Sequence, residues 1–561
     1  MCIRDRTSFL TKAQEDFTHV ISNSEDWRDV YSVMLYSRLI DKESDFLVSE
    51  RHATLLLNNI DRSNKIRIIS SIDKPFVLGY ADIIKNKGFK GAEELKFRNI
   101  NLELVKLINV TNFIIVDDSY GYNAIAVAPY AVIKKAWVFF ADRKNIVEID
   151  SFLSTRRVDG LLIYGHVDRE VTSTLQKYNP DIINTGDRFD DNVEIVKRYR
   201  KIRPINQVVL TNGEFIEKEI MSGMEPVLFT GKENVPEQIK EYLKSSDIEV
   251  GVLIGNELVG AATNIRRTTG ISVMVKFARG ARAPSGPIAR IEGLDLFYLP
   301  SPELNLTVYS VKYNKATSQL EVTYKSNSDT IMYFKGTITL IVEGKESLKV
   351  GDTEAIFIAP QDFKTVVYSG VSITGEKLKA KIFTFYGESK KALEKILEKE
   401  IEVSIINVID ECEIEISKIT YDIPKHSFLI DIKNNVDVDC YVDIELLDVI
   451  INDEKVTLGL SGTAFLKSNE KKKVKIRAEL NDYDLENNEF INFIAYYGQR
   501  EDSLVKILKG KIELEIKRID VTFYTVLAII ILLALLLLLI IIKRRKETGI
   551  CLLYTSPSPR D

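Results

Sequence analysis

The sequence VTFYTVLAIIILLALLLLLIII occupies residues 521–542 and contains no charged residue, no Gly and no Pro. At about 1.5 Å per residue, a helix of this length crosses a hydrocarbon core about 30 Å thick. The stretch is apolar on every side, whereas a helix on the surface of a soluble domain keeps one polar face. We therefore predict one transmembrane helix and interpret everything before it as an ectodomain on a C-terminal anchor.

Basic residues on both sides of this stretch set its predicted orientation. Residues 543–546, KRRK, follow it directly, and Lys517 and Arg518 precede it. Lys and Arg accumulate on the cytoplasmic side of membrane helices, and the C-terminal flank is the more basic. The pattern predicts a single-pass protein of the cell membrane with a cytoplasmic tail, residues 543–550, and an extracellular N-terminal bulk.

The two ends of the chain differ from the rest in composition. Residues 1–6, MCIRDR, and residues 551–561, CLLYTSPSPRD, resemble translated sequencing-adapter sequence, so both are excluded from the prediction of the fold. We expect the native start to be missing, in which case the lack of a visible export signal carries no information.

Length and composition predict several globular domains. The chain has 561 residues, of which 45% are hydrophobic and 28% charged, with 14 Pro. This length suggests about three to five domains, and the composition is not that of a disordered stalk. A net charge of −5 gives no basic field for nucleic acid. With both end segments set aside, Cys412 and Cys440 remain, and they form either one disulfide in an oxidising exterior or two unpaired buried thiols.

The N-terminal half repeats itself about every ninety residues. Apolar, strand-like runs recur at residues 46–48, 138–140 and 227–229, and a second run follows each of them at 66–69, 161–164 and 252–255. A further apolar run opens each repeat, at 18–21, 113–116 and 208–210, and the run at 18–21 is the weakest. A constant spacing of this kind is the signature of a repeated structural unit.

Helical patterns lie between these runs. Residues 29–40, 123–135 and 236–244 have apolar residues at three- and four-residue spacings. Pro129 is expected to kink or interrupt the second of these helices. Strands alternating with helices predict three α/β repeats with parallel sheets, at residues 16–108, 109–199 and 200–280.

The repeats resemble the cell-wall-binding repeat of clostridial-type surface proteins, a family that usually carries three copies. Asn123-Ala124-Ile125 and the small residues after it fit that family's first helix, and Pro226-Val227-Leu228-Phe229 fits its strand entry. Gly186-Asp187-Arg188-Phe189 fits the Gly-x-x-Arg-aromatic signature between repeats with one residue fewer, and Lys96-Phe97-Arg98 is a degraded copy. The first helix of the third repeat is short.

The resemblance implies attachment to a polymer of the cell envelope. A lipid-anchored protein does not need a wall ligand for retention, so lateral assembly with neighbouring copies stays open as the other use of such units. An adhesin or receptor for a partner cell is a further alternative.

An enzymatic alternative depends on the ends of the predicted strands in the second repeat. Asp117, Asp118 and His166 each follow such a strand, and active sites of α/β folds gather there. Solvated loop acids that cap the next helix, and an ordinary loop histidine, explain the same residues. No nucleotide-binding glycine motif and no histidine pair with metal-ligand spacing is present. We assign no catalytic residue, no metal, no cofactor and no specific binding residue.

From residue 304 onward the apolar pattern has a period of two, and it occurs twice. Lys325, Asn327 and Tyr333 match Lys433, Asn435 and Tyr441 at an offset of 108 residues. Short alternating strands joined by polar turns predict two immunoglobulin-like β-sandwiches, at residues 303–400 and 401–518. Residues 389–400, SKKALEKILEKE, are amphipathic and predict a helix. The Gly-rich residues 281–302 are expected to be a linker.

The sequence thus predicts a multidomain protein with three α/β repeats, two immunoglobulin-like β-sandwiches and one C-terminal transmembrane helix, residues 521–542. We expect a non-catalytic, membrane-anchored surface protein, either S-layer-like or envelope-polymer-binding. Its expected partners are a cell-envelope polymer or glycan, or neighbouring copies, together with the lipid bilayer; nucleic acid is not among them. An ectoenzyme or a surface adhesin is the alternative.

Overall fold

The structure is a computed structural model that describes residues 17–276, 295–375, 377–452, 454–518 and 521–548. Both adapter-like ends lie outside the described residues, and so does the Gly-rich stretch 280–287. The chain divides into two compact units, one ending at Ile409 and the other beginning at Asp410. The first unit holds the α/β repeats and one β-sandwich, and the second holds another β-sandwich and the apolar helix.

Each α/β repeat is built on a four-stranded parallel sheet in which the strand order is second, first, third, fourth. The first repeat consists of β1 His19–Asn23, α1 Trp27–Leu39, β2 Glu43–Phe46, α2 His52–Leu56, β3 Lys65–Ser71, α3 Tyr80–Asn86, β4 Gly91–Phe97 and α4 Ile100–Lys106.

The second repeat consists of β5 Asn112–Val116, α5 Tyr122–Lys134, β6 Ala136–Phe140, α6 Ile146–Ser154, β7 Gly160–Tyr164, α7 Arg169–Leu175, β8 Asp181–Ile183 and α8 Arg188–Ile202. Helix α5 continues through Pro129, so the predicted interruption is wrong. The helix is buried along most of its length, and its packing outweighs the loss of one backbone hydrogen bond.

The third repeat consists of β9 Gln207–Thr211, β11 Val227–Phe229, α9 Glu237–Ser245, β12 Val250–Ile254, α10 Val259–Thr269 and β13 Ser272–Lys276. In place of a first helix it has the short strand β10 Phe215–Ile216 and the 3₁₀ turn Ile220–Ser222. Strand β14 Phe297–Tyr298 pairs with β10 and is buried at Phe297. The last part of the stretch predicted as a linker, 281–302, is therefore part of this fold.

The three repeats share one hydrophobic core. Helix α1, helix α5 and the 3₁₀ turn of the third repeat each contact the other two. Ion pairs connect the repeats as well, because Arg28 binds Asp118 of the second repeat at 2.6 Å and Lys218 of the third repeat binds Asp45 of the first. The repeats consequently form a closed ring rather than an open row.

The first β-sandwich follows the third repeat. Its strands are β15 Leu306–Asn314, β16 Gln319–Ser326, β17 Met332–Val342, β18 Lys345–Gly351, β19 Ile356–Ile358, β20 Phe363–Ser369, β21 Leu378–Gly387, β22 Lys395–Glu402 and β23 Ser404–Ile406. One sheet has the order β20-β16-β15-β23 and the other β18-β17-β21-β22. The helix predicted over residues 389–400 is wrong, because β22 pairs with β21 over its whole length and this pairing outweighs local helix preference.

The second unit repeats this arrangement. Its elements are β24 Ile414–Asp422, β25 Ser427–Asn434, β26 Cys440–Ile451, β27 Glu454–Gly459, β28 Ala464–Leu466, β29 Lys471–Arg477, α11 Asp482–Asn487, β30 Phe490–Gly498 and β31 Lys506–Lys517. Strand β31 pairs first with β30 and then with β24, so it passes from one sheet to the other. Strands β22 and β23 together make the same passage in the first sandwich.

Helix α12 Val521–Thr548 follows β31, and its segment Tyr524–Lys543 is long and apolar enough to cross a membrane. This composition is compatible with membrane anchoring.

Cys412 and Cys440 form a disulfide whose two half-cystines are 28 residues apart in the sequence. Both are fully buried in the core of the second sandwich, so one of the two alternatives left open by the sequence is confirmed.

We predict that replacing Cys440 by Ala destabilises the second sandwich by about 2–4 kcal/mol, because a disulfide restricts the unfolded chain. Urea unfolding of the full chain, with hydrogen exchange in β25 and β30 as the readout, measures this loss of stability. The α/β repeats serve as the internal control and should exchange as before. Unchanged exchange in β25 and β30 would contradict the expected contribution.

Candidate ligand cleft between the first two repeats

The sheet order places a potential ligand site at one end of each repeat. In an open parallel sheet, ligands bind outside the carboxyl ends of the strands, at the point where the strand order reverses. Here that point lies between the first and third strands of each sheet. In the first repeat it opens into a cleft of about 600 Å³. The cleft is lined by Asp26, Arg28, Asp29, Ser71, Asp73, Lys74, Arg98, Asn99, Asn101, Leu102, Glu103 and, from the second repeat, Phe140, Asn145, Glu148 and Ile149.

A guanidinium fixes the floor of the cleft. Arg28 binds both carboxylate oxygens of Asp26, with Nε–Oδ1 at 3.0 Å and Nη2–Oδ2 at 2.7 Å, and its Nη1 reaches Asp118. Asp26 also caps helix α1 by accepting the Arg28 backbone N–H at 3.0 Å. Burial raises the pKa of Asp26, but the hydrogen bonds and charge of Arg28 outweigh burial and hold it below the ordinary value.

Asp29 lies one residue beyond Arg28 and has the opposite shift. Burial raises the pKa of Asp29 to about 6, although the hydroxyl of Ser24 donates a hydrogen bond to it at 2.7 Å. Two neighbouring carboxyl groups in one cleft thus titrate in different pH ranges. Perturbed carboxyl groups in a cleft mark a candidate functional site.

The rim of the cleft carries amides and an exposed cation, Arg98, that pairs with Asp73. The side chain of Arg98 is 79% exposed and lies 3.5 Å from Asp73. Asn101 on helix α4 donates to the backbone oxygen of Val138 at 2.9 Å and so ties α4 to strand β6 of the next repeat. Carboxylates, amides and a guanidinium together form a set that can hydrogen-bond a polyhydroxylated ligand. The ring of Phe140 is buried against Trp27 and Tyr31.

A second groove, between the second and third repeats, corresponds to this cleft. Asn192 on helix α8 donates to the backbone oxygen of Val227 at 3.0 Å, as Asn101 does to Val138. Asn145 at the edge of the open cleft has its counterpart in Asn234, eighty-nine residues later. The two grooves are thus built from the same elements of successive repeats.

The second groove is filled by the protein itself. The loop of residues 388–394, between β21 and β22 of the first sandwich, lies in it. The carbonyl oxygen of Glu394 accepts the backbone N–H of Asn234 at 3.0 Å, and Ala392 is buried in the core of the α/β repeats. Ser389 donates to Asp187, the residue that caps helix α8.

Arg188 is the charged centre of this filled groove. Its side chain is only 10% exposed and lies 2.8 Å from Glu388 and 2.8 Å from Glu394, both in the sandwich loop. The guanidinium also lies over the ring of Tyr122, 5.0 Å from its centroid. Burial raises the pKa of Glu388, and the charge of Arg188 opposes this shift. One guanidinium of the second repeat therefore provides a shared counter-charge for two carboxylates of the sandwich loop.

The two aspartates that the sequence singled out in the second repeat have different partners in the structure. Asp118 is held by Arg28, and Asp117 accepts hydrogen bonds from the Ser119 N–H and the Asn123 side chain, each at 3.2 Å. Burial raises the pKa of Asp117. Neither aspartate caps helix α5, whose cap residue is Gly121, so that interpretation is wrong. His166 is exposed.

Acids and histidines meet elsewhere, at the boundary of the first and third repeats. His19 lies 2.9 Å from Asp45, which also binds Lys218, and Glu217 binds Lys276 at 2.7 Å. Asp45, Lys218, Glu217 and Lys276 line a cavity of about 330 Å³. These four groups are committed to ion pairs, and the pair of Lys218 with Asp45 connects the third repeat to the first. Within the described residues, no group of three His, Cys, Asp or Glu side chains is arranged to hold a metal ion.

Sequence inspection singled out Arg98 only as part of a degraded signature between repeats, and it missed Asp26, Arg28 and Asp29 as residues of the open cleft. Asp26, Arg28 and Asp29 occur in the short run SEDWRD, which reads as an ordinary helix start. One usable signal was present, because Asn101 and Asn192 are separated by nearly the same interval as the repeats. Amides at matching positions of two repeats indicate the same contact with the next unit.

Comparison with known proteins assigns no family to the chain. No protein-family model and no curated protein matches it. It is similar to the ligand-binding region of Serine-glutamate repeat protein A of Enterococcus faecium, with 15% identity over 19% of this chain and 97% of that one and a TM-score of 0.14. A tetra-tandem repeat in the extending region of a large adhesion protein is similar with 12% identity over 38% and 49% and a TM-score of 0.14.

A transglutaminase of red sea bream is similar with 8% identity over 39% of this chain and 31% of the enzyme, again with a TM-score of 0.14. The chain thus spans about a third of the length of that enzyme. Likenesses of this size establish neither a family nor a function.

We predict that Asp29→Asn stabilises the protein at pH 8 and leaves it unchanged at pH 4. The folded-state pKa of Asp29 lies above the unfolded value, so folding favours the protonated form, and this stability is lost as the pH rises through about 6. The uncharged asparagine side chain of the variant does not titrate, so the variant keeps this stability, on the order of 1–3 kcal/mol, at pH 8. Urea unfolding at pH 4, 6 and 8 measures it. A parallel pH dependence in wild type and variant would contradict the assignment.

We further predict that Arg188→Ala releases the sandwich loop from the repeats. Removing the cation leaves Glu388 and Glu394 buried without a counter-charge, which costs about 3–5 kcal/mol. Hydrogen exchange at residues 388–394 should rise at least tenfold. Arg198→Ala is the control, since Arg198 lies on the same helix and forms only partly exposed ion pairs with Asp181 and Glu194. Equal protection of the loop in both variants would argue against the coupling.

Proposed function

We propose that the protein is a non-catalytic, membrane-anchored surface protein whose α/β repeats bind a glycan of the cell envelope. The observation that carries this proposal is the pair of corresponding grooves. One groove is filled by the protein's own loop, and the other, between the first two repeats, is open and lined by hydrogen-bonding side chains.

The filled groove supports this use of the open one. Its occupant presents carboxylates, a hydroxyl and backbone carbonyl oxygens to the repeats, and these are polar groups of the kind that a sugar chain also carries. Arg98, Lys74 and the side chains of Asn99, Asn101 and Asn145 line the open cleft, together with carboxylates. A polyhydroxylated glycan matches a cleft lined by charges of both signs.

The resemblance of the repeats to cell-wall-binding repeats supports an envelope ligand. The order of the chain is consistent with this role, since both β-sandwiches stand between the repeats and the apolar helix in the sequence. We regard these sandwiches as immunoglobulin-like spacers. With the basic residues 543–546 in the cytoplasm, the repeats are extracellular.

Binding is a better account of the cleft than catalysis. A carboxyl group that titrates near neutral pH, such as Asp29, also suits a general acid. Hydrolysis of a glycosidic bond requires a second carboxylate that is free to act on the substrate. Asp26 is occupied by Arg28 on both oxygens, and Asp73 and Glu103 lie in ion pairs with Arg98 and Lys106. Most acids of the lining are therefore already paired, and Glu148 remains as an exposed carboxylate.

We predict that Arg98→Ala lowers retention of the full-length protein on isolated envelopes of the encoding organism by about tenfold, the size expected from one charge-assisted hydrogen bond. Co-sedimentation in mild detergent measures the bound fraction. Arg157→Ala is the matched control, because Arg157 is 81% exposed and paired with Asp159, as Arg98 is 79% exposed and paired with Asp73.

Equal retention of both variants would remove the cleft from the binding site. Retention that rises with protein concentration and persists after the glycan is stripped would indicate lateral assembly instead. Binding to foreign cells, with none to the organism's own envelope, would indicate an adhesin.

A further inference from the structure

The second β-sandwich is tied closely to the membrane helix. Strand β31 ends at Lys517 and helix α12 begins at Val521, so four residue steps connect them and span at most about 14 Å. The apolar span itself begins at Tyr524, one helical turn later. The headgroup layer on one side of a bilayer is about 5–8 Å thick. If the helix is inserted, the end of β31 lies within reach of the headgroups.

The strand register places further residues of the sheet near the end of β31. Lys517 pairs with Asp422, Asp422 with Ser427, and Ser427 with Arg477, so all four lie in one row. Neighbouring strands are about 4.8 Å apart, which places Arg477 about 14 Å from Lys517 along this row. The turn between β24 and β25 adds Lys425, which is exposed, as Arg477 is. Two basic residues of this row and Lys425 thus lie at this end of the sandwich, where Lys517 and Lys425 both pair with Asp422.

Exposed aromatic rings lie at the same end. Helix α11 begins at Asp482, five residues after β29 ends at Arg477, and it carries Tyr483, which is 57% exposed. Strand β30 begins at Phe490, which is 45% exposed and pairs with Glu513, four residues before the end of β31. Tyrosine, with one apolar and one polar end, and other aromatic residues favour the membrane–water interface.

The opposite end of the sandwich provides a contrast. Among residues 410–518 that the structure describes, the other strongly exposed large hydrophobic residues are Ile516 and Ile507. Ile516 is next to Lys517, whereas Ile507 lies ten residues earlier on β31, about 33 Å along the strand. Three of the four exposed large hydrophobic residues therefore lie at the end that leads to the membrane helix.

We infer that this end of the second sandwich rests in the headgroup layer of the bilayer, with Tyr483 and Phe490 as its contacts. The inference depends on the membrane anchoring proposed above and adds a defined lipid-contact surface to it. The exposed carboxylates of Asp482, Glu486 and Glu489 flank the two rings. They limit the contact to the hydrated headgroups, because a carboxylate is costly to transfer into hydrocarbon. Such a contact fixes the tilt of the sandwich against the membrane.

Photocrosslinking of the full chain in phosphatidylcholine–phosphatidylglycerol nanodiscs tests this surface. The photoreactive residue p-benzoylphenylalanine replaces Tyr483, Phe490, Ile507 or Leu532, one at a time, and lipid adducts are counted by mass spectrometry. Leu532 is the positive control within the apolar helix, and Ile507 is the matched negative control at 53% exposure. Unchanged unfolding temperatures verify that each variant is folded.

We expect adducts at Tyr483 and Phe490 at least tenfold above those at Ile507. Adducts at Leu532 together with equal, low yields at Tyr483, Phe490 and Ile507 would overturn the lipid contact and leave the anchoring intact. A lack of adducts at Leu532 would overturn the anchoring and the contact together.

Discussion

The buried guanidinium of Arg188 joins the α/β ring to the first β-sandwich. It forms ion pairs with Glu388 and Glu394 and lies over the ring of Tyr122, so it contacts the second repeat and the sandwich at once. A buried charge pair is stabilising only when its partners are all in place, and here the loss of the cation would leave two buried carboxylates. The attachment of the sandwich and the filling of one groove depend on this contact. Which of the two grooves stays open depends on it as well.

The repeated architecture explains why the open cleft is a candidate binding site. Successive repeats build similar grooves where a helix start meets the next sheet, and Asn101 and Asn192 make the same contact in both. The protein's own loop occupies one groove of this pair. The other groove, between the first two repeats, therefore remains as the one external site of the pair. A protein with three similar units can thus present one binding cleft rather than several.

Much of the fold was predictable, because repetition and periodicity are local signals. The three repeats, the opening strand β1 and the apolar helix follow from spacing and hydrophobicity alone. The helix predicted over residues 389–400 failed because its pattern suits a helix as well as the strand β22, and only pairing with β21 decides between them. The cleft was out of reach for a related reason. Arg28 and Asp118 are ninety residues apart, and nothing in either local sequence indicates that they form an ion pair.

Hydrogen exchange of the full chain, with and without a soluble glycan released from the organism's own envelope, tests the central claim most directly. The account predicts that the glycan slows exchange at residues 26–29 and 98–103, around the open cleft. Residues 388–394 should be protected to the same degree in both states, because the second groove is already filled. Protection confined to the β-sandwiches, or an increase in exchange at residues 388–394, would contradict the assignment of the open cleft as the binding site.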